Sequence, residues 1–155
     1  MSTSRRILVL HGPNLNLTGV REPAIYGATS LAEIDAGLQA MAAARGAALA
    51  IVQSNHEGAL IDAIHAHLAD GLDGLVVNAG GLSHTSVALR DAVAAAAVPA
   101  VEVHLSNVAA RDDFRRTSLL AGACVGGVHG FGAASYRLGL AALLDLLGAP
   151  PAAAG

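Results

Sequence analysis

Two residue pairs in this chain have the types and spacings that move protons. In Val101-Glu102-Val103-His104 the glutamate and histidine are two apart on an expected strand, so their side chains share a face. A carboxylate inside a covered sheet needs a partner, and the imidazole of His104 is the simplest one. A mutually satisfied structural pair would read the same way. The position of His104, where a strand ends, favours a working role oriented by Glu102. The second pair is Arg21 and Tyr26, in the stretch HGPNLNLTGVREPAIYG at 11–27. A cation beside a phenol favours the phenolate, which would make Tyr26 a general base. The plainer reading is that both residues tether the loop.

Other polar residues gather near these pairs. Asn14 lies in the same stretch, which has no helical or alternating period and is too long for a mere connector. It reads as a lid or active-site loop. Leu105-Ser106-Asn107 follows His104, and exposed backbone N–H groups at such a turn bind carboxylates. Asn78-Ala79-Gly80-Gly81 resembles a backbone cradle, with Ser83, Thr85 or Ser86 able to cap the next helix. His84 and Asp91 are about two turns apart on or near that helix, so Asp91 could hold His84 or a substrate hydroxyl. Arg111 and Arg115 are four apart on an expected helical segment, so an anionic substrate could meet one of them. Their neighbours Asp112 and Asp113 equally suit a solvated face. His65 and His67 are two apart on a helix and point away from each other, so they form no metal pair.

The elements that must position these groups alternate regularly. Strands are expected at 7–10, 47–53, 75–77, 99–104 and 123–129. Helices are expected at 31–45, 57–70, from the end of 78–86 to about 97, at 111–120 and at 134–147. Ser30 and Glu33 have the spacing of a capping box. Strands apolar on both faces, alternating with helices, imply a parallel sheet covered by helices. Five of them suggest a flavodoxin-like, doubly wound α/β sheet with helices on both faces. Ligands in that architecture sit beyond the carboxyl ends of the strands, where 11–26, 78–86 and 104–107 all fall. Residues 1–155 read as a single catalytic domain, with 149–155 a loose tail. The strand order stays open.

Composition narrows the function. Hydrophobic residues make up 54 % and charged residues 14 %, below the roughly 25 % charged of an ordinary soluble domain. Such a chain is expected to cover its surface with copies of itself. Net charge is −3 and the pI about 6.1, which argues against a nucleic-acid partner. No apolar run reaches the ~18 residues of a membrane span, and the apolar run Ile7–Leu10 after MSTSRR is too short for the apolar region of a signal peptide. The single cysteine, Cys124, fits a cytoplasmic protein and a buried structural thiol. The chain contains no lysine, which excludes a lysine Schiff base and a Walker-type ATP site. Gly130-Phe131-Gly132 alone is too weak to indicate a dinucleotide.

Together the segments GPNLNL-x-G-x-REP-x-IYG, QSN-x-EG, NAGGLSHTSVALRDA, VEVHLSN and R-x-x-FR resemble, in order and spacing, those of the type II 3-dehydroquinate dehydratases. The match runs from about Ile7 to Leu144. The resemblance implies a flavodoxin-like fold and a cofactor-free, metal-free dehydration of 3-dehydroquinate to 3-dehydroshikimate. It also implies a cytoplasmic homododecamer built as a tetramer of trimers. It makes Tyr26 the base that takes the C2 proton, Arg21 the lid arginine, and His104 the acid for the departing C1 hydroxyl. Glu102 would orient His104, and Asn14 would help stabilise the enolate. Asn78, His84, Asp91, Leu105, Ser106 and Arg115 would hold substrate. The pathway would be aromatic amino acid biosynthesis through shikimate, or quinate breakdown. The chain departs from the common pattern at His11, where many relatives carry Asn, and at Thr117-Ser118-Leu119. Two other readings are a flavin- or nucleotide-binding module of the same fold, and a metal-dependent hydrolase using His84, Asp91 and His104.

Overall fold

Ile7, Leu8, Val9 and Leu10 are all buried in the first strand, β1 (Arg5–His11). The strand runs one residue past the expected apolar stretch, so His11 belongs to the sheet and not to the loop. In this computed structural model, which describes residues 4–152, β1 pairs in parallel with β2 (Ala47–Gln53) on one side and β3 (Gly74–Asn78) on the other. β4 (Ala100–His104) and β5 (Gly126–His129) complete a five-stranded parallel sheet in the order β2-β1-β3-β4-β5. The α/β, flavodoxin-like expectation holds. The order reverses between β1 and β3, the place where such sheets open a ligand crevice.

Alternate strand residues face two apolar layers. Ile7, Val9, Val76, Val101 and Val103 pack against α2 (Leu31–Ala44) and α5 (Ala134–Leu146). Leu8, Leu10, Leu75 and Val77 pack against α3 (Glu57–Ala69) and α4 (Val87–Ala96). Ser30 caps α2 by accepting from the Glu33 N–H, and Gly46 at φ 65° follows the helix end. The Glu33 carboxylate takes the Ser30 hydroxyl, so the capping box closes on the side chain rather than on the backbone. Ser86, of the three candidate hydroxyls, caps α4.

The stretch after β1 is not structureless. It contains a 3-10 turn at Leu15–Leu17 and one helical turn, α1 (Pro23–Tyr26).

Three expectations are corrected. Residues 111–120 do not form a helix; the chain there makes 3-10 turns at Val108–Ala110, Asp113–Arg116 and Ala121–Ala123. The run Arg-Asp-Asp-Phe-Arg-Arg has no apolar stripe to bury, and Phe114 stands exposed. Strand β5 starts at Gly126 rather than at 123, because residues 121–123 are taken by the last of those turns. The tail is tied at its start, where Arg45 donates to the carbonyls of Ala149 and Pro150. Residues 153–155 lie outside the described residues. Among the described residues no helix is long and apolar enough to cross a membrane.

Candidate active site

The crevice at the β1–β3 switch point is shaped by two glycines. A Cβ on Gly12 would lie 2.3 Å from the Ala79 carbonyl oxygen, so only glycine lets the two strand ends run this close. Gly80 has φ 57° and would meet the Pro13 carbonyl at 3.0 Å. The resulting cleft encloses about 130 Å³. A cavity of about 150 Å³ holds benzene, so the space suits a single six-membered ring.

Its floor is formed by strand ends. Glu102 and His104 share a face of β4, as their spacing requires, and Glu102 Oε2 accepts from His104 Nε2 at 2.7 Å. Ser118 donates to the same carboxylate at 2.6 Å. Burial pushes the Glu102 carboxyl up, but the hydrogen bonds from His104 and Ser118, together with the electrostatic attraction of His104 and His84, outweigh it and hold the group below the usual carboxylate range. Glu102 is therefore a fixed anion behind His104, leaving Nδ1 of that ring for the cleft. His84 lies beside it, the two rings stacked with centroids 6.4 Å apart, and its Nδ1 is bonded to the Thr117 carbonyl. Asn78, at the end of β3, belongs to the same floor, and Leu105 and Ser106 continue it beyond His104.

The opposite wall comes from the loop. Arg21 Nη2 donates to Tyr26 Oη at 3.1 Å, and its guanidinium carbon lies 4.5 Å from the ring centroid. A second guanidinium, Arg111, lies 5.0 Å from the same ring and donates to Ser106 Oγ. Asn14 is held through its backbone, which donates to Asn55 Oδ1 at 2.9 Å. Gln53 bonds both Asn55 and the Gly12 carbonyl, so the stretch after β2 fixes the rim. Arg115 also lines the cleft. Three arginines and no carboxylate form its lining.

Ten of the eleven residues singled out from sequence thus meet at one place; Glu102 does so through His104 rather than as lining. Asp91 does not. The 3-10 turn at Gly80–His84 and the break before α4 remove the helical relation between His84 and Asp91, which is exposed on α4 and outside the cleft. That also disperses the His84, Asp91 and His104 set, and among the described residues no cluster of three such ligands is arranged for a metal. Arg111 and Ser118 carry more of the site than their sequence positions suggest. Burial pushes the Cys124 thiol up to about 12, with the Glu102 carboxylate adding to it, so the thiol is a packing group.

A doubly wound parallel sheet with such a cleft at its switch point defines a flavodoxin-like fold with an arginine-lined cleft. Residues 5–144 match the family model described as dehydroquinase class II. Over 137 residues the chain is 56 % identical to the 3-dehydroquinate dehydratase of Bordetella pertussis, covering 88 % of this chain and 95 % of that protein. It is 54 % identical to the enzyme of the same name from Carboxydothermus hydrogenoformans, over 92 % of each chain. The crystal structure of type II dehydroquinase from Butyrivibrio crossotus superposes with a TM-score of 0.89 at 37 % identity, covering 92 % of this chain and 99 % of that one. The chain belongs to the class II dehydroquinase family. It is therefore a hydro-lyase, which sets aside the flavin-binding module and the hydrolase.

Proposed function

We propose that this chain catalyses the reversible dehydration of 3-dehydroquinate to 3-dehydroshikimate, with Tyr26 as base and His104 as acid. The observation that carries the proposal is the cleft itself, where a phenol under two guanidiniums and a histidine backed by a carboxylate share one arginine-lined space. The C2 proton of the substrate is acidified by the adjacent ketone. Tyr26, whose oxygen accepts from Arg21, takes it as the base, and the C2–H electron pair becomes an enolate. Asn14 stabilises the enolate oxygen through water. The enolate then re-forms the ketone as the C1–C2 double bond forms and the C1–O bond breaks. His104 gives the departing hydroxyl its proton from Nδ1, and water leaves. Base and acid must be different groups, because one has to be deprotonated while the other is protonated.

Asn78, His84, Leu105 and Ser106 hold the substrate's hydroxyls and carboxylate, the last two partly through backbone N–H groups, and Arg115 adds charge. No imine is involved, since the chain has no lysine. The low charge content and the exposed Val87, Val125, Phe131 and Leu138 support self-association, for which the family resemblance suggests a homododecamer, a tetramer of trimers, in the cytoplasm. Asp91 would then contribute to substrate binding only by reaching the cleft of a neighbouring copy. The direct test mixes purified protein with 3-dehydroquinate and follows the ultraviolet absorption of the conjugated product. A folded protein without turnover would overturn the assignment. Light scattering that gives a monomer mass would overturn the assembly.

A further inference from the structure

Three groups that the proposed reaction does not use run in a line beneath Asn78. The Asp35 carboxylate on α2 meets His11 Nε2 at 2.7 Å. His11 Nδ1 meets Tyr136 Oη at 2.7 Å, and Asn78 Nδ2 donates to that same phenol oxygen at 2.9 Å. Asn78 Oδ1 in turn accepts the Gly80 N–H at 3.2 Å. His11 and Tyr136 have no exposed surface, so each donor and acceptor in the line must find its partner inside the protein.

That requirement fixes the direction of every bond. A carboxylate only accepts, so His11 gives Asp35 its Nε2–H. With the ring proton there, Nδ1 accepts, and the Tyr136 hydroxyl donates to it. Burial holds the Tyr136 phenol far above its ordinary range, so this hydrogen is in place. The phenol has then given its one hydrogen and can only accept from Asn78, which must present Nδ2. Oδ1 is left for Gly80. If the proton sat on Nδ1 instead, Tyr136 would accept from His11 and turn its own hydrogen toward Asn78. Two donors would then meet, and rotating the amide would set Nδ2 against the Gly80 N–H. Either arrangement leaves buried groups unpaired.

We propose that Asp35, His11 and Tyr136 are positioning residues for substrate binding, which fix the polarity of the Asn78 amide and, through Gly80, the backbone of the cleft floor. The inference rests on the reading of this cleft as the 3-dehydroquinate site. It ties four elements, α2, β1, α5 and β3, to one amide.

The test is steady-state turnover of 3-dehydroquinate by the full chain and its variants. Tyr136→Phe, which removes one oxygen atom and keeps the core filled, should raise KM about tenfold, the worth of one net hydrogen bond, while kcat stays within about threefold. His11→Leu and Asp35→Leu should act alike. His11→Asn, whose Oδ1 can accept where Nδ1 did, and Asp35→Asn, whose Oδ1 still accepts Nε2–H, should recover most of the loss. A merely structural role would lower the active fraction, so that apparent kcat fell at constant KM, and this result would overturn the inference. So would an unchanged KM in Tyr136→Phe. Independently of turnover, a crystal structure of Tyr136→Phe should show Asn78 displaced from the Gly80 N–H; an unmoved side chain sinks the idea. If the unsubstituted chain itself fails to turn over, the proposed reaction falls, and the crystallographic comparison still decides the role of the line.

Discussion

On the floor of the cleft, Asn78, Glu102 and His104 are 2, 5 and 9 % exposed. They are held by side chains far away in sequence, Tyr136 for Asn78 and Ser118 for Glu102. In the lid, the backbone donors of Val20, Arg21, Ile25, Tyr26 and Gly27 all bond to carbonyls within residues 17–23. Val20 is 80 % exposed. The floor is therefore fixed by the fold before substrate arrives, whereas the lid bonds largely within itself and meets the rest through Tyr26, which packs on the core and lies under Arg111. Local stability of this low kind is what a segment needs in order to open and close. In the proposed reaction the acid, His104, would stand on the fixed floor and the base, Tyr26, on the lid, so the two would meet over substrate only with the lid shut.

If this contrast is right, lid substitutions should cost activity without stability, and floor substitutions should cost both. Tyr26→Phe should give the largest effect, a fall in kcat of about a thousandfold with KM little changed, since it removes a proton-transfer group. Urea unfolding should place it within about 0.5 kcal/mol of the parent. Arg21→Ala should lower kcat about a hundredfold, through loss of charge and of closure, again with stability preserved. Glu102→Gln should lower kcat about tenfold and also destabilise the fold by about 1–3 kcal/mol, because it disturbs a buried bonded anion. Its folded carboxyl lies below its unfolded value. The group therefore stabilises the fold above the ordinary carboxylate range, and this contribution fades as pH falls toward the folded value. Parent and Glu102→Gln should differ most at neutral pH and converge in acid; a constant gap would refute the linkage. Ser118→Ala should be the mildest, about 1 kcal/mol of stability and a kcat loss of about threefold. A lid variant that unfolds as readily as Glu102→Gln would break the contrast.

What could be seen in the sequence follows the range of each interaction. Glu102 with His104, and Arg21 with Tyr26, are close in sequence, and strand period or loop proximity is enough to pair them. The alternation of apolar strands and helices was equally plain, because both faces of β1, β3 and β4 are buried. The expectations failed where local spacing imitates a helix that tertiary structure does not build. Arg111 follows one 3-10 turn in extended backbone and Arg115 sits in the next, so no helix relates them. Asp91 was linked to His84 by counting through a break. The line from Asp35 to Asn78 was invisible for another reason. Its members come from four elements, and neither hydropathy nor spacing connects His11 with Tyr136.

His11 also bears on how the chain reaches this arrangement. It lies on the same side of β1 as Ile7 and Val9, toward α2 and α5, where its partners are. A slip of β1 by one residue would turn the imidazole to the other side, among Leu60, Ile64 and Leu89, where the packing is apolar. An unpaired polar ring there would cost several kcal/mol, on the order of a buried amide or hydroxyl. The four apolar residues before it would tolerate either register. The histidine is what tells them apart, so its buried partners specify the register of β1.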